Sequence, residues 1–123
     1  VNDWALRAGS GGPALLRRPD NALAMASLSA ISLSGISAAQ TALGVSAHNL
    51  ANLSTTGFRR QQLTQSVAAD GGVTTSLHEA RQPGSDMASD LVSQLAAKHQ
   101  FLANLAVFKA GDRMMGTLLD VSS

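Results

Sequence analysis

The residues that could do chemistry are few and badly spaced for it. In a chain of 123 residues with no cysteine, His48, His78 and His99 form neither a His-x-x-x-His pair nor a Glu-x-x-His. Two metal ligands on one helix face need such a spacing. Glu79 is the sole glutamate, so paired-carboxylate catalysis would have to draw on scattered aspartates, and the abundant serines include no Gly-x-Ser-x-Gly elbow. The Gly9-Ser10-Gly11-Gly12 run lacks the Lys-Ser/Thr that makes a glycine loop grip phosphate. Phe58-Arg59-Arg60 is too narrow for a nucleic-acid stripe, and Met114-Met115 reads as packing filler rather than a soft-metal site. No enzyme, no cofactor, no metal and no nucleic-acid partner are expected.

Composition moves the question from chemistry to packing. Nine Lys+Arg against eight Asp+Glu leave a net charge of +1, and from Met25 onward the six basic and six acidic residues cancel. The length suits one domain. The chain is 45% hydrophobic but only 3% aromatic, and with 21 Ala, 17 Leu and 15 Ser the small and straight-chain side chains supply most of the apolar surface. Such small and straight-chain residues suit closely packed helices better than a β-sandwich. Uninterrupted apolar runs are short, so no transmembrane segment is expected, and residues 1–24 lack the apolar stretch of a Sec signal peptide.

Two segments carry a helical period. Between residues 26 and 54, Leu33, Ile36, Gln40, Leu43, Ala47 and Leu50 recur at spacings of three and four, with Gly35, Ala38, Ala39, Ala42 and Gly44 beside them. Asn52 can satisfy the last backbone groups, and Gly57 can take the left-handed conformation that ends helices. Ser85 or Asp86 is the expected N-cap of a second helix, with Asp90 in its first turn. Its stripe includes Met87, Leu91, Leu95, Leu102, Leu105, Phe108, Met115 and Leu119, widened by Phe101 and Leu118.

The chain therefore divides into a flexible leader over 1–24, dispensable or non-native, an N-terminal helix with an Asn-rich end over 25–60, a linker over 61–85, and a C-terminal helix over 86–121. The expected fold is all-α, two long antiparallel helices joined by an irregular loop with room for a short β-hairpin around Val73–Leu77. Such a pair covers only part of each apolar face, and no staple compensates. Leftover apolar surface of this kind marks an interface.

Two ordered strings resemble the bacterial flagellar basal-body rod and hook protein family. The first runs Leu33-Ser-Gly-Ile-Ser-Ala-Ala-Gln-Thr-Ala-Leu43, then His48-Asn49-Leu50-Ala51-Asn52, then Thr56-Gly57-Phe58-Arg59-Arg60. It is similar to the family's N-terminal Asn-Ile-Ala-Asn and Asn-Thr-x-Gly-Tyr-Lys/Arg signature, with Asn49, Asn52, Gly57 and Phe58 at the motif positions. The second runs Asp90-Leu91-Val92, Phe101-Leu-Ala103-Asn104, Asp112-Arg-Met114-Met115 and Leu118-Leu119. It resembles the C-terminal signature at Ala103, Asn104, Asp112, Met115 and Leu118. Thr56 stands where proline is common, and His99-Gln100 where Gln-Arg is common. The linker of about 25 residues has no room for the large β-rich domains of hook and distal-rod members, so the resemblance is to a short, proximal-rod-like member.

The resemblance implies a structural subunit of the flagellar basal body, a rod or rod-like axial component in the periplasm-spanning rod, exported by the flagellar type III apparatus. Its partners would be itself, other rod and hook axial proteins and that apparatus. The helices would pair in a coiled-coil-like manner through Leu33, Ile36, Ala39, Leu43, Leu50, Leu91, Leu95, Leu105 and Leu119. Phe101, Phe108 and Met115 would face neighbouring subunits, and Asn104 would bridge polar groups along the seam. The competing expectation is a soluble helical-hairpin binding or regulatory module derived from a rod protein.

Overall fold

The computed structural model describes residues 14–122, with side chains from Leu23 onward. Two helices, α1 (Ala14–Ala51) and α2 (Met87–Ser122), flank an antiparallel hairpin of β1 (Gln61–Val67) and β2 (Val73–Glu79). At 1.5 Å per residue α1 spans about 57 Å and α2 about 54 Å. Of the expected leader, residues 1–13 lie outside the described residues and 14–24 belong to the beginning of α1, which thus starts well before residue 26.

Local chemistry explains where the helices stop and start. At the end of α1, the Asn52 side-chain amide donates to the His48 carbonyl at 2.8 Å, and the Thr55 hydroxyl donates to Asn52 Oδ1 at 3.2 Å. Gly57 does have a positive φ of 74°, but the helix has already ended at Ala51. The glycine instead serves the following turn, closed by Phe58 N–H donating to the Thr55 carbonyl at 3.3 Å. Asp86 is the N-cap of α2, its Oδ1 accepting the Ser89 N–H at 3.0 Å.

The linker is more regular than expected. Between Arg60 and Ala80 it folds into a seven-pair ladder from Gln61↔Glu79 to Val67↔Val73. Asp70 Oδ1 accepts the Gly72 N–H at 3.0 Å, and Gly71 closes the turn at a φ of 88° that favours glycine. The hairpin lies along α1. Its tip packs Gly71 and Gly72 on Ile31 and Ser34, and the Val73 N–H donates to Ser34 Oγ at 3.1 Å.

The antiparallel register of the helices is marked at three levels. Asn49 meets Asp90, Gly35 lies against the Asn104 side chain, and Gly111 lies against Leu28 and Ser29. From Asn49 back to Gly35 is fourteen residues and on to Leu28 another seven; from Asp90 forward to Asn104 and Gly111 the steps are the same. Whole heptads keep one stripe of each helix facing the other.

That stripe is not the leucine stripe. Among the described residues the buried positions of α1 are Ser32, Gly35, Ala38, Ala39, Ser46 and Asn49, and those of α2 are Asp90, Ala97 and Gly111. Among the expected seam residues Ala39 is fully covered, while Ile36, Leu43, Leu50 and Leu105 are half-buried at its flank. Leu33, Leu91, Leu95 and Leu119 are exposed, at 52, 48, 55 and 67%, so these four lie outside the seam of the single chain. Small residues displace them because only an Ala, Gly or Ser face lets two backbones approach until Gly35 meets Asn104 without an intervening Cβ.

Average hydropathy of α1 is higher than its short apolar runs suggest. Leu23–Ala51 is long and apolar enough to cross a membrane by length and composition. This is weak evidence on its own, because buried polar residues are distributed along the same stretch at Ser32, Ser46 and Asn49.

Candidate functional site

The densest set of side-chain interactions sits where α1 ends, β1 begins and α2 starts. Asn49, 2% exposed, is bonded on both sides of its amide. Its Nδ2 donates to the Gln61 carbonyl at 2.9 Å and to Asp90 Oδ1 at 3.1 Å, and its Oδ1 accepts the Gln61 N–H at 2.8 Å. One side chain thereby reproduces a strand-like pair of bonds to the first residue of β1 and ties α1 to α2. Arg60 completes the cluster: its Nε donates to Asp90 Oδ2 at 3.3 Å and its Nη2 to Asp90 Oδ1, a forked pairing suited to a carboxylate.

Each element is needed for this geometry. Asn49 lies on the last full turn of α1 and Asp90 on the first turn of α2, where the exposed N–H groups favour an acid. The turn through Gly57 brings Arg60 back over both. There Arg60 also accepts the Ala80 N–H at its carbonyl at 2.8 Å, while the Phe58 carbonyl accepts the Gly84 N–H at 3.0 Å. Phe58 packs against His48 with ring centroids 5.4 Å apart and planes tilted by 58°. The Arg60 guanidinium is held above the usual arginine range chiefly by its hydrogen bond to Asp90, with Coulombic attraction from Asp90 and Asp86 adding to this and burial opposing it. Arg60 therefore remains charged at every working pH. No buried side-chain nitrogen or oxygen among the described residues lacks a partner.

Beside this cluster an open cleft of about 510 Å³ runs between β1 and α2, lined by Ser46, Gln65, Ser93, Ala97 and Gln100 among others. The Gln100 amide crosses it to Gln65 Oε1 at 3.2 Å. Among the described residues no three His, Cys, Asp or Glu side chains converge as metal ligands would. The arrangement holds three elements together.

The motif residues divide between this cluster and the helix seam. Asn49, Asn52, Gly57 and Phe58 build or flank the cluster. Asn104 does not bridge the helices by hydrogen bonds: its Nδ2 turns back to the Gln100 carbonyl of its own helix at 2.8 Å, and its flat amide fills the space over Gly35. Ala103 and Asp112 are exposed, whereas Met115 and Leu118 are half-buried. Phe101 and Phe108 are also half-buried, at seven-residue intervals with Met115. Sequence reasoning passed over the Arg60–Asp90 pairing. A signal was present, since Asp90, Ala97, Asn104 and Gly111 are spaced by sevens and an acid on such a row needs a cation.

The described residues thus form a helical hairpin closed at one end by a polar cluster and bare along its flanks. Residues 30–59 match the family model described as flagella basal body rod protein, a span covering the small-residue half of α1, Asn49, Asn52 and Gly57. No curated protein matches the chain. The family match supports assigning the chain to the flagellar basal-body rod family, whose members are structural components of the flagellar basal body rather than enzymes.

Proposed function

We propose that the chain is an axial subunit of the flagellar rod or a rod-like part of the basal body, assembled through its two terminal helices. One observation carries this reading. Among the described residues the buried hydrophobic side chains are Ala38, Ala39 and Ala97, while Leu23, Leu33, Leu91, Val92, Leu95, Leu102 and Leu119 are exposed. A chain that keeps its leucines outside and its alanines inside completes its core with neighbours.

In this reading the heptad register supports coiled-coil-like pairing, and the uncovered edges of Phe101, Phe108 and Met115 meet adjacent subunits. The subunit travels by the flagellar type III route and contacts other rod and hook axial proteins. Folding is coupled to assembly, so purified chain should show helicity that rises with concentration; a fully helical monomer insensitive to dilution, by circular dichroism and ultracentrifugation, contradicts this. In cells, a deletion strain should lose motility and lack complete basal bodies, and the chain should be recovered in isolated basal bodies. Full motility with intact basal bodies in the deletion strain overturns the reading.

A further inference from the structure

The ladder leaves one edge of β1 turned toward the cleft. The Arg60 carbonyl accepts the Ala80 N–H, and the Ala68 N–H donates to the Gly72 carbonyl, so the even-numbered residues of β1 bond to β2. The N–H and C=O groups of Gln61, Leu63, Gln65 and Val67 therefore point the other way. Gln61 is already met there: Asn49 Oδ1 accepts its N–H and Asn49 Nδ2 donates to its carbonyl, as a residue of a third strand would. Beyond it the cleft of about 510 Å³ runs past five consecutive residues, Gln61 through Gln65. A space against one face of a strand would meet alternate residues; a space along its edge meets them all.

This edge is held in place and left undefended. The hairpin is tied to α1 at both ends, by Asn49 at Gln61 and by Ser34 at the Val73 N–H, so β1 lies along the helix between its two anchors. Proteins ordinarily blunt an open edge with a lysine, a proline or a bulge. Gln61–Val67 contains no charge and no proline, and its seven pairs are unbroken. The cleft walls are small and neutral: Ser46 comes from α1, Ser93 and Ala97 from α2, and α1 carries no Asp, Glu, Lys or Arg between Leu23 and Ala51. Arg60 and Asp90, at the Asn49 end, neutralise each other.

We propose that this cleft takes an extended, uncharged segment of another protein, which adds to β1 as a third strand and continues the pairing that Asn49 begins. Backbone groups aimed into an open space call for a backbone partner, and small neutral walls leave room for uncharged side chains of β-branched size. The stretch from Leu63 to Val67 fits about five residues of such a segment. A second copy is a poorer source: its β1 edge is likewise occupied by Asn49, its β2 edge is held at Val73 by Ser34, and the loops flanking its hairpin carry Arg59, Arg60, Arg81 and Pro83. The Gln100 amide, which spans the cleft to Gln65 Oε1, would swing aside as the segment enters. The inference goes beyond the axial reading and does not require it.

The test uses the full chain, at concentrations where circular dichroism shows the helices formed, and the heptapeptide acetyl-Ser-Thr-Val-Thr-Leu-Thr-Ser-amide as probe. Binding should slow hydrogen exchange of the Leu63 and Gln65 amides about tenfold or more and leave those of Thr75 and Leu77, on the outer edge of β2, unchanged. Gln65→Pro should weaken binding about tenfold, because it removes an outward N–H and spares the ladder to β2. Thr75→Pro, at the cross-strand partner of Gln65 on the opposite edge, should not. A companion measurement leaves the protein untouched: the same peptide methylated at every backbone nitrogen should not bind.

No protection of Leu63 and Gln65 by the peptide, equal effects of the two prolines in variants that keep their helicity, or binding of the methylated peptide would overturn the proposal. So would protection of both amides in the chain alone. If that protection vanished on removal of residues 1–13, the occupant would be this chain's own leader; if it rose with chain concentration, a second copy. Absence of the chain from isolated basal bodies sinks the axial reading and leaves the cleft result standing.

Discussion

The two ends of the helix pair are held by different physics. At the Asn49 end, a buried amide, a carboxylate and a guanidinium share directional bonds among three elements. At the Gly111 end, glycine lies against Ser29 and Leu28, so the contact described there is one of close packing. The first arrangement specifies one register; the second permits close approach but discriminates little between registers a heptad apart. A slender pair needs both, because small residues fit almost anywhere and something must say where.

The sharpest way to break this contrast is to remove the carboxylate. Asp90→Ala strands a part-buried guanidinium and one amide donor, and should cost about 3 kcal/mol in denaturant unfolding. Asn49→Ala, which leaves the backbone N–H and carbonyl of Gln61 without their side-chain partners, should cost about 2 kcal/mol by the same measurement. Equal tolerance of both changes would mean that the cluster does not hold the register.

The glycines of α1 sharpen the part played by close approach. A Cβ at Gly35 would lie 2.5 Å from Asn104 Oδ1, so Gly35→Ala must swing that side chain off the Gln100 carbonyl and should destabilise by about 1 kcal/mol despite alanine's better helix propensity. Gly44 has open space around its Cβ position, so Gly44→Ala should stabilise by up to about 1 kcal/mol. Thermal melts of the two variants should therefore move in opposite directions.

The smallest effect near neutrality is one of pH. Arg60 has its folded pKa raised above the unfolded value, so its contribution is fully present below the usual arginine range and is lost only as pH climbs through the still higher folded value. Arg60→Lys should carry the same sign to a lower window, with stability present below about pH 10.4 and falling above it. Alkaline denaturation curves of the two forms should coincide in slope at pH 8 and diverge beyond pH 10.

What could be read in the sequence was local. The Asp86 cap announces itself because an Asp three residues before a free N–H needs no distant partner, and the capacity of Asn52 to satisfy late carbonyls of α1 is likewise set within one turn. The β1 segment gives almost no signal: Gln61-Gln62-Leu63-Thr64-Gln65-Ser66-Val67 is mostly polar and exposed, and it is extended because Asn49 grips its first residue and β2 pairs with its length. Ala39 of the seam is legible, but Ser32 and Ser46 are not, because leucines dominate any apolar count whereas these two matter for being small. Arg60 and Asp90 stand thirty residues apart and meet only once the turn and hairpin are built.

The charge-free stretch of α1 has a consequence for solution conditions. Sodium chloride screens ions but has no side-chain ions to screen between Leu23 and Ala51, so raising its concentration should loosen the Arg60–Asp90 corner slightly and leave the leucine flank unweakened. Sulfate, which strengthens apolar burial, should favour the leucine flank most. The choice of anion in a buffer would thus tilt the molecule between clasping itself and clasping its kin.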